Sequence, residues 1–296
     1  MNYLRNTRVF CLNSNTMRFR ILLLLLFLAG CIPANDSLTL DPVLTKDSTL
    51  MSSPTFPSTN RWRPTAGLSW QWQIGNLDID TSIEAEVYDV DLYVDQSVID
   101  ELHAKGRKVI CYISVGSFED WRPDKDQFPT EVLGKDYEGW AGEKWLDIRR
   151  LDLLAPIMLA RLDLCKAKGF DAVEPDNMEI YNNDTGFPLT YADQLKYALW
   201  LAEEAHKRGL AIGQKNASDQ VTELVGIYDF AITEDFFYYN EAESMLPYIK
   251  ANKPVFAAEY TDLPGNFAEF CELSKQLNFS LILKKRGLDA WIQTCP

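Results

Sequence analysis

Residues 169–181 read GFDAVEPDNMEIY, a short apolar run that ends in acids. Glu174 and Asp176 lie two positions apart. In a strand their side chains leave the same face. Two carboxylates on one face repel each other and lose hydration as they are buried, which folds seldom tolerate without a use. The segment is therefore a candidate for acid–base chemistry, and the question becomes what holds it in place.

Eight β-rich runs are spread along the chain, at 68–74, 87–93, 108–116, 170–176, 210–217, 230–236, 254–260 and 280–285. Amphipathic, helix-like runs separate most of them. One starts at an acidic cap and closes at Gly106, one closes at Gly169, and one opens at Thr190 and closes at Gly209. A further one, AEFCELSKQLN, precedes the last strand. The link after the first strand is too poor for a full helix. The link 117–150 holds Trp121, Trp140 and Trp145 and is expected to form a loop over the site. Strands alternating with helices over this length indicate parallel βαβ units, and the size suits one (β/α)8 TIM-type barrel with a reduced first helix. A doubly wound open sheet is the rival. Against it, no Gly-rich phosphate loop follows the first strand.

In such a barrel the reactive face is the C-terminal ends of the strands. Those ends carry Trp72 and Gln73, Asp89 and Asp91, Tyr112 and Ser114, Glu174 and Asp176, Lys215 and Asn216, Glu234 and Asp235, Glu259 and Tyr260, and Lys284. Alternation in KVICYISVG sends Val109, Cys111, Ile113 and Val115 toward the helices, and Ile110, Tyr112 and Ser114 inward. Acids at four strand ends beside aromatic residues form a pattern suited to sugars. Carboxylates do the acid–base and nucleophilic work on glycosidic bonds, and aromatic faces stack on sugar rings. Trp72 and Tyr260 are candidate stacking residues, core packing being the alternative for Trp72. Lys215 is placed to lower a catalytic carboxyl's pKa or to form a structural ion pair. Tyr112 and Asn216 are candidate donors to hydroxyls. Asp89 and Asp91 are candidates for binding cationic groups, with a structural role expected for at least one.

The stretches WQWQI, GFDAVEPDN, IGQKN, FAITED, FAAEY and ILKKRGLDAWIQTC, in that order over residues 62–296, resemble glycoside hydrolase family 114, the endo-α-1,4-polygalactosaminidases. The resemblance implies a (β/α)8 barrel lacking a full first helix, endo-cleavage of a galactosamine-rich polysaccharide, and a catalytic pair on strands four and six. Residue by residue that pair is Asp176, with Glu174 and Asn177 in support, and Glu234 as general acid/base. The sequence also leaves open Glu174 with Glu259 on strands four and seven, and a non-catalytic sugar-binding barrel. This chain has DFFYYNE after the strand-six acid, where the family often has a cysteine.

The formal net charge is −14, and the first thirty residues contain four arginines and no acid, so the remainder stands at −18. That balance argues against nucleic acid and suits a cationic partner such as an amino-sugar polymer, plain solubility being the alternative. Residues 17–31, MRFRILLLLLFLAGC, have a basic start and an apolar run too short to span a bilayer, which reads as an export signal. The ending LAGC resembles a lipobox, making Cys31 the lipidation site and residues 1–31 the leader. Secretion after a nearby cut is the alternative. The implied address is the cell envelope by lipid anchor, the outer membrane in a Gram-negative cell. Residues 32–61, rich in Ser, Thr and Pro, read as a disordered tether. Cys111 reads as a small core residue, Cys165 lies on a helix, and Cys271 with Cys295 is a candidate disulfide. His103 and His206 show no metal-ligand spacing, so no histidine metal site, no histidine triad and no cofactor are expected. A monomer is expected.

Overall fold

A computed structural model describes residues 60–296. The leader, Cys31 and nearly all of the tether lie outside the described residues. Arg61, the last tether position, already joins the folded domain, since its side chain pairs with Asp229 at 3.1 Å.

The eight expected strands are present: β1 (Trp70–Gln73), β2 (Val87–Asp91), β3 (Lys108–Ser114), β7 (Ala172–Asp176), β8 (Ala211–Lys215), β9 (Phe230–Glu234), β10 (Val255–Tyr260) and β11 (Ser280–Lys284). They pair in parallel in that order. A short β12 (Gln293–Thr294) adds antiparallel to β11. The ring closes through side chains. The Trp70 indole donates to the Ser280 carbonyl at 2.8 Å, and the Ser280 hydroxyl to the Leu68 carbonyl at 2.6 Å. This is the mixed α/β barrel that the sequence indicates.

Strand alternation builds two cores. Trp70, Trp72, Val87, Ile110, Phe230, Ile232, Phe256 and Ile282 fill the interior. Val109, Cys111, Ile113 and Val115 join the outer layer under the helices, as the alternation predicts. Gly213 faces Phe230 so closely that an added Cβ would sit 2.2 Å from its ring. The glycine of IGQKN thus makes room for the aromatic floor beneath Lys215.

The helices are α1 (Gln96–Ala104), α2 (Leu151–Ala167), α3 (Tyr191–Lys207), α4 (Val221–Leu224), α5 (Leu246–Lys250) and α6 (Phe267–Leu277). Thr190 and Asp193 form a reciprocal cap on α3. No helix follows β1, as expected, whereas α4 and α5 are shorter than the full helices typical of the fold. The 117–150 link is not a simple loop. It holds a three-stranded antiparallel sheet of β4 (Ser117–Glu119), β5 (Leu133–Asp136) and β6 (Glu143–Leu146), with β6 in the middle.

Cys271 and Cys295 form the expected disulfide, tying α6 to the tail. Cys111 is not merely a small core residue: it is bonded to Cys165, joining β3 to α2. The two positions are 54 residues apart, and only the packing of helix on strand brings them together. Closing a loop of that length stabilises by about 4 kcal/mol on chain-entropy grounds. Cys165→Ser should therefore lower unfolding free energy by about 2–5 kcal/mol, read by denaturant titration without reductant. An unchanged midpoint would contradict the bond.

Candidate active site

The ladder between β7 and β8 joins only Ala172 to Ala211 and Val173 to Ile212. Pro175 has no N–H to extend it. Beyond that point the two strands are joined by side chains, and Lys215 does the joining. Its ammonium nitrogen lies 3.0 Å from Glu174 Oε1, 2.8 Å from Asp176 Oδ1 and 3.1 Å from Glu234 Oε2. It also sits 4.8 Å above the Trp72 ring. Lys215 is 2% exposed. Burial works against its charge, but Asp176, Glu174 and Glu234 outweigh that and hold its pKa well above the usual lysine value.

The three carboxylates differ in depth. Glu174 is fully buried, and its other oxygen accepts from the Trp72 indole at 3.1 Å. Burial pushes Glu174 up to about 7 in spite of Lys215. Beneath it Asp89 is also fully buried, and no donor among the described residues reaches either oxygen. Burial, then the charge of Glu174, hold Asp89 well above the usual aspartate range, which favours its protonated form. Asp176 and Glu234 sit higher and are partly open. Asp176 Oδ2 accepts from the Tyr112 hydroxyl at 3.0 Å. Glu234 accepts from the Tyr260 hydroxyl and from Asn216 Nδ2 at 3.2 Å, while its backbone N–H donates to Asn216 Oδ1. Burial raises the Glu234 carboxyl, yet Lys215, Tyr260 and Asn216 together hold it below the usual glutamate range.

The structure thus brings together Trp72, Asp89, Tyr112, Glu174, Asp176, Lys215, Asn216, Glu234 and Tyr260. Several do different work from that expected. Trp72 is fully buried, so it supports Lys215 and Glu174 and cannot stack on a sugar. Tyr260 is 3% exposed and its ring is covered by the Arg286 guanidinium at 3.6 Å, so it too is no platform. Asp91 binds Arg122 at 2.5 Å and the Tyr93 N–H at 2.8 Å, which makes it structural. Asn177, at φ 63°, donates to the Ser114 and Ser117 hydroxyls and shapes the turn after Asp176. Glu259 falls on the opposite face from Phe256, Ala258 and Tyr260, and accepts from the Phe237 and Tyr238 N–H groups. It fixes the loop after β9 and does not face Glu174, which removes the alternative pair.

Other residues at this face were not singled out by the sequence. Tyr137, stacked on Trp145 at 4.0 Å, stands where the charges of Asp176 and Glu234 act on its phenol, which burial and those charges raise. Glu143 accepts from the Ser117 hydroxyl at 2.6 Å, and burial pushes it up to about 7. Glu179, the fourth acid of the opening segment, is exposed and near enough to Glu234 for the two charges to interact. Arg286 binds Asp235 at 2.9 Å and Asp262 at 3.0 Å. The signals available were the aromatic density of 117–150 and the basic KKR after the eighth strand. Both histidines lie near the opposite, N-terminal ends of strands, with Asp171 and Asp229 as partners. Among the described residues no cluster has metal-ligating composition and geometry.

Residues 51–296 match the glycoside-hydrolase family GH114. The chain belongs to that family. It is similar to Ega3 of Aspergillus fumigatus, solved in complex with galactosamine, at 39% identity and a TM-score of 0.76, covering 81% of this chain and 100% of that one. The glycoside hydrolase domain of PelA from Pseudomonas aeruginosa shares the fold at 12% identity and a TM-score of 0.58, over 76% of this chain and 98% of that one. A Deinococcus radiodurans protein is 26% identical over 215 residues, 65% of this chain and 69% of its own length. GH114 membership makes the chain a glycoside hydrolase.

The ionisation pattern sets a pH dependence. Glu143, Glu174 and Glu259 are each pushed up to about 7, and Asp235 to about 6, all mainly by burial. Each binds its proton more tightly folded than unfolded, so stability rises as pH falls through that range toward the unfolded values near 4. Glu234 acts oppositely, and its contribution is lost only in stronger acid. Thermal melts should peak near about pH 5 and decline toward pH 8. A melting temperature that climbs from pH 5 to 8 would contradict this assignment. Lys215→Met strands three carboxylates, costing about 3–5 kcal/mol, and the loss should be larger at pH 8 than at pH 5.

Proposed function

We propose that the protein is an endo-acting, retaining glycoside hydrolase that cleaves α-1,4 linkages in a galactosamine-rich polysaccharide. The observation that carries this is the sharing of one ammonium by Asp176 and Glu234. Two oxygens bonded to the same nitrogen at 2.8 and 3.1 Å lie less than about 6 Å apart. That spacing suits the nucleophile and acid/base of a double-displacement reaction, whose carboxyl groups stand about 5–5.5 Å apart.

In this reading Asp176 Oδ attacks the anomeric carbon as the bond to the leaving oxygen breaks. Tyr112 and Lys215 hold Asp176 for that attack. Glu234 delivers a proton to the leaving oxygen, then takes one from the water that attacks the anomeric carbon and frees Asp176. The lowered pKa of Glu234 suits the second half of this cycle. For the first half Lys215 must lean toward Asp176 and Glu174, which already bind it at 2.8 and 3.0 Å. When Asp176 loses its charge in the glycosyl-enzyme, Lys215 is released toward Glu234 and the carboxylate becomes the base.

The specificity rests on charge and on the likeness to Ega3, which was solved with galactosamine. A chain at −18 beyond its first thirty residues attracts a polymer of free amines. Export with a lipid on Cys31, anchorage at the cell envelope and a monomeric state complete the proposal. The test is reducing-end release from partly deacetylated polygalactosamine. The parent should act, a neutral galactan should remain intact, and Asp176→Asn and Glu234→Gln should each lose about 10³-fold or more while staying folded, equivalent to about 4 kcal/mol of transition-state stabilisation. A folded parent that binds the polymer without cleaving it would establish a binding protein instead. Activity surviving both substitutions would reject this pair.

A further inference from the structure

Glu234 is the candidate acid/base, yet one of its three side-chain partners is itself held in place by a residue with no role so far. The Tyr260 hydroxyl donates to Glu234 Oε1. Tyr260 is the last residue of β10, and its buried ring is covered by the Arg286 guanidinium, whose carbon lies 3.6 Å from the ring centroid. Arg286 lies just beyond β11. One nitrogen of its fork binds Asp235 Oδ2 at 2.9 Å, and two others bind Asp262 at 3.2 and 3.0 Å.

These contacts form a closed circuit. Asp235 directly follows Glu234, at φ 60°, where the chain turns sharply out of β9. Its N–H still bonds the Ala258 carbonyl at 2.9 Å. Asp262 follows Tyr260 by two residues. Arg286 therefore grips the chain on the far side of Glu234 and on the far side of Tyr260, and lies flat on the ring between them. The two ion pairs alone need only a cation, which a lysine would supply. Lying flat on a ring while filling two carboxylates is a property of the planar guanidinium and not of an ammonium.

We propose that Arg286 is a positioning residue, which by clamping Tyr260 fixes the phenol that holds Glu234 in its reactive orientation. The inference rests on the proposed hydrolytic role of Glu234, and it explains why a half-exposed arginine spends its whole donor fork on two loop acids beside the site.

The test is a double-mutant cycle on the full protein, with Arg286→Lys, Tyr260→Phe and the two combined, measuring kcat and KM on partly deacetylated polygalactosamine and the melting temperature of each. Arg286→Lys should lower kcat by about tenfold or more, with KM within about threefold, because the lost term acts on the reacting group. Tyr260→Phe should lower it at least as much. The combined variant should be no slower than Tyr260→Phe alone, since both changes remove one interaction. A role limited to tying loops together would give losses that multiply, or a kcat retained in Arg286→Lys, and either result overturns the proposal. If Tyr260→Phe fails to fold, Arg286→Lys against the parent still decides it. A parent with no turnover would overturn the proposed function, and this inference with it, which is distinct from an active parent whose cycle multiplies.

Discussion

One ammonium among three carboxylates is the constraint on which the site depends. Lys215 has no escape to solvent, and Glu174, Asp176 and Glu234 have no other cation within bonding distance among the described residues. Removing charges from water costs several kcal/mol each, and such a cluster persists only with good geometry and further hydrogen bonds. The surroundings provide these. Tyr112, Tyr260, Asn216 and Trp72 each donate to one of the acids, and burial disfavours a further charge on Asp89. Three acids around one ammonium leave more acid than base in the cluster, which suits the cationic substrate proposed.

The barrel makes this possible by the way it opens. The β7–β8 ladder stops early, and Lys215 replaces backbone bonds that Pro175 cannot make. The same strand pair therefore loses regularity and gains the reactive cluster at one point. Around the rim, loops are fixed by charge rather than by helices. Glu259 pins the backbone after β9 from outside, Arg286 pins it from the tail, and Arg122 joins Asp91 to Glu119. This compensates for the short α4 and α5 and for the missing helix after β1.

Much of this was legible because parallel strands announce themselves as apolar runs and their last residues define the reactive face. Glu174, Asp176, Lys215, Asn216, Glu234 and Tyr260 all follow from that rule. Period two also held the clue to Glu259: in FAAEY the aromatic positions 256 and 260 point inward, so 259 points out. What the rule could not supply was partnership across distance. Asp91 looks free until Arg122, 31 residues later, folds back on it. Cys111 reads as a core residue because its partner lies on a helix 54 positions away. Strands of three and four residues in the 117–150 link leave no period to detect, which is why its sheet, and Tyr137 and Glu143 with it, went unread.

The most direct test of the central claim is the anomeric configuration of the first product, followed by ¹H NMR as the enzyme acts on a defined α-1,4 galactosamine oligomer. Two carboxylates held by one lysine predict that the α-anomer appears first and then mutarotates. A β-anomer formed first would mean that a water attacks directly, and that Asp176 and Glu234 do not work at the separation the shared ammonium imposes.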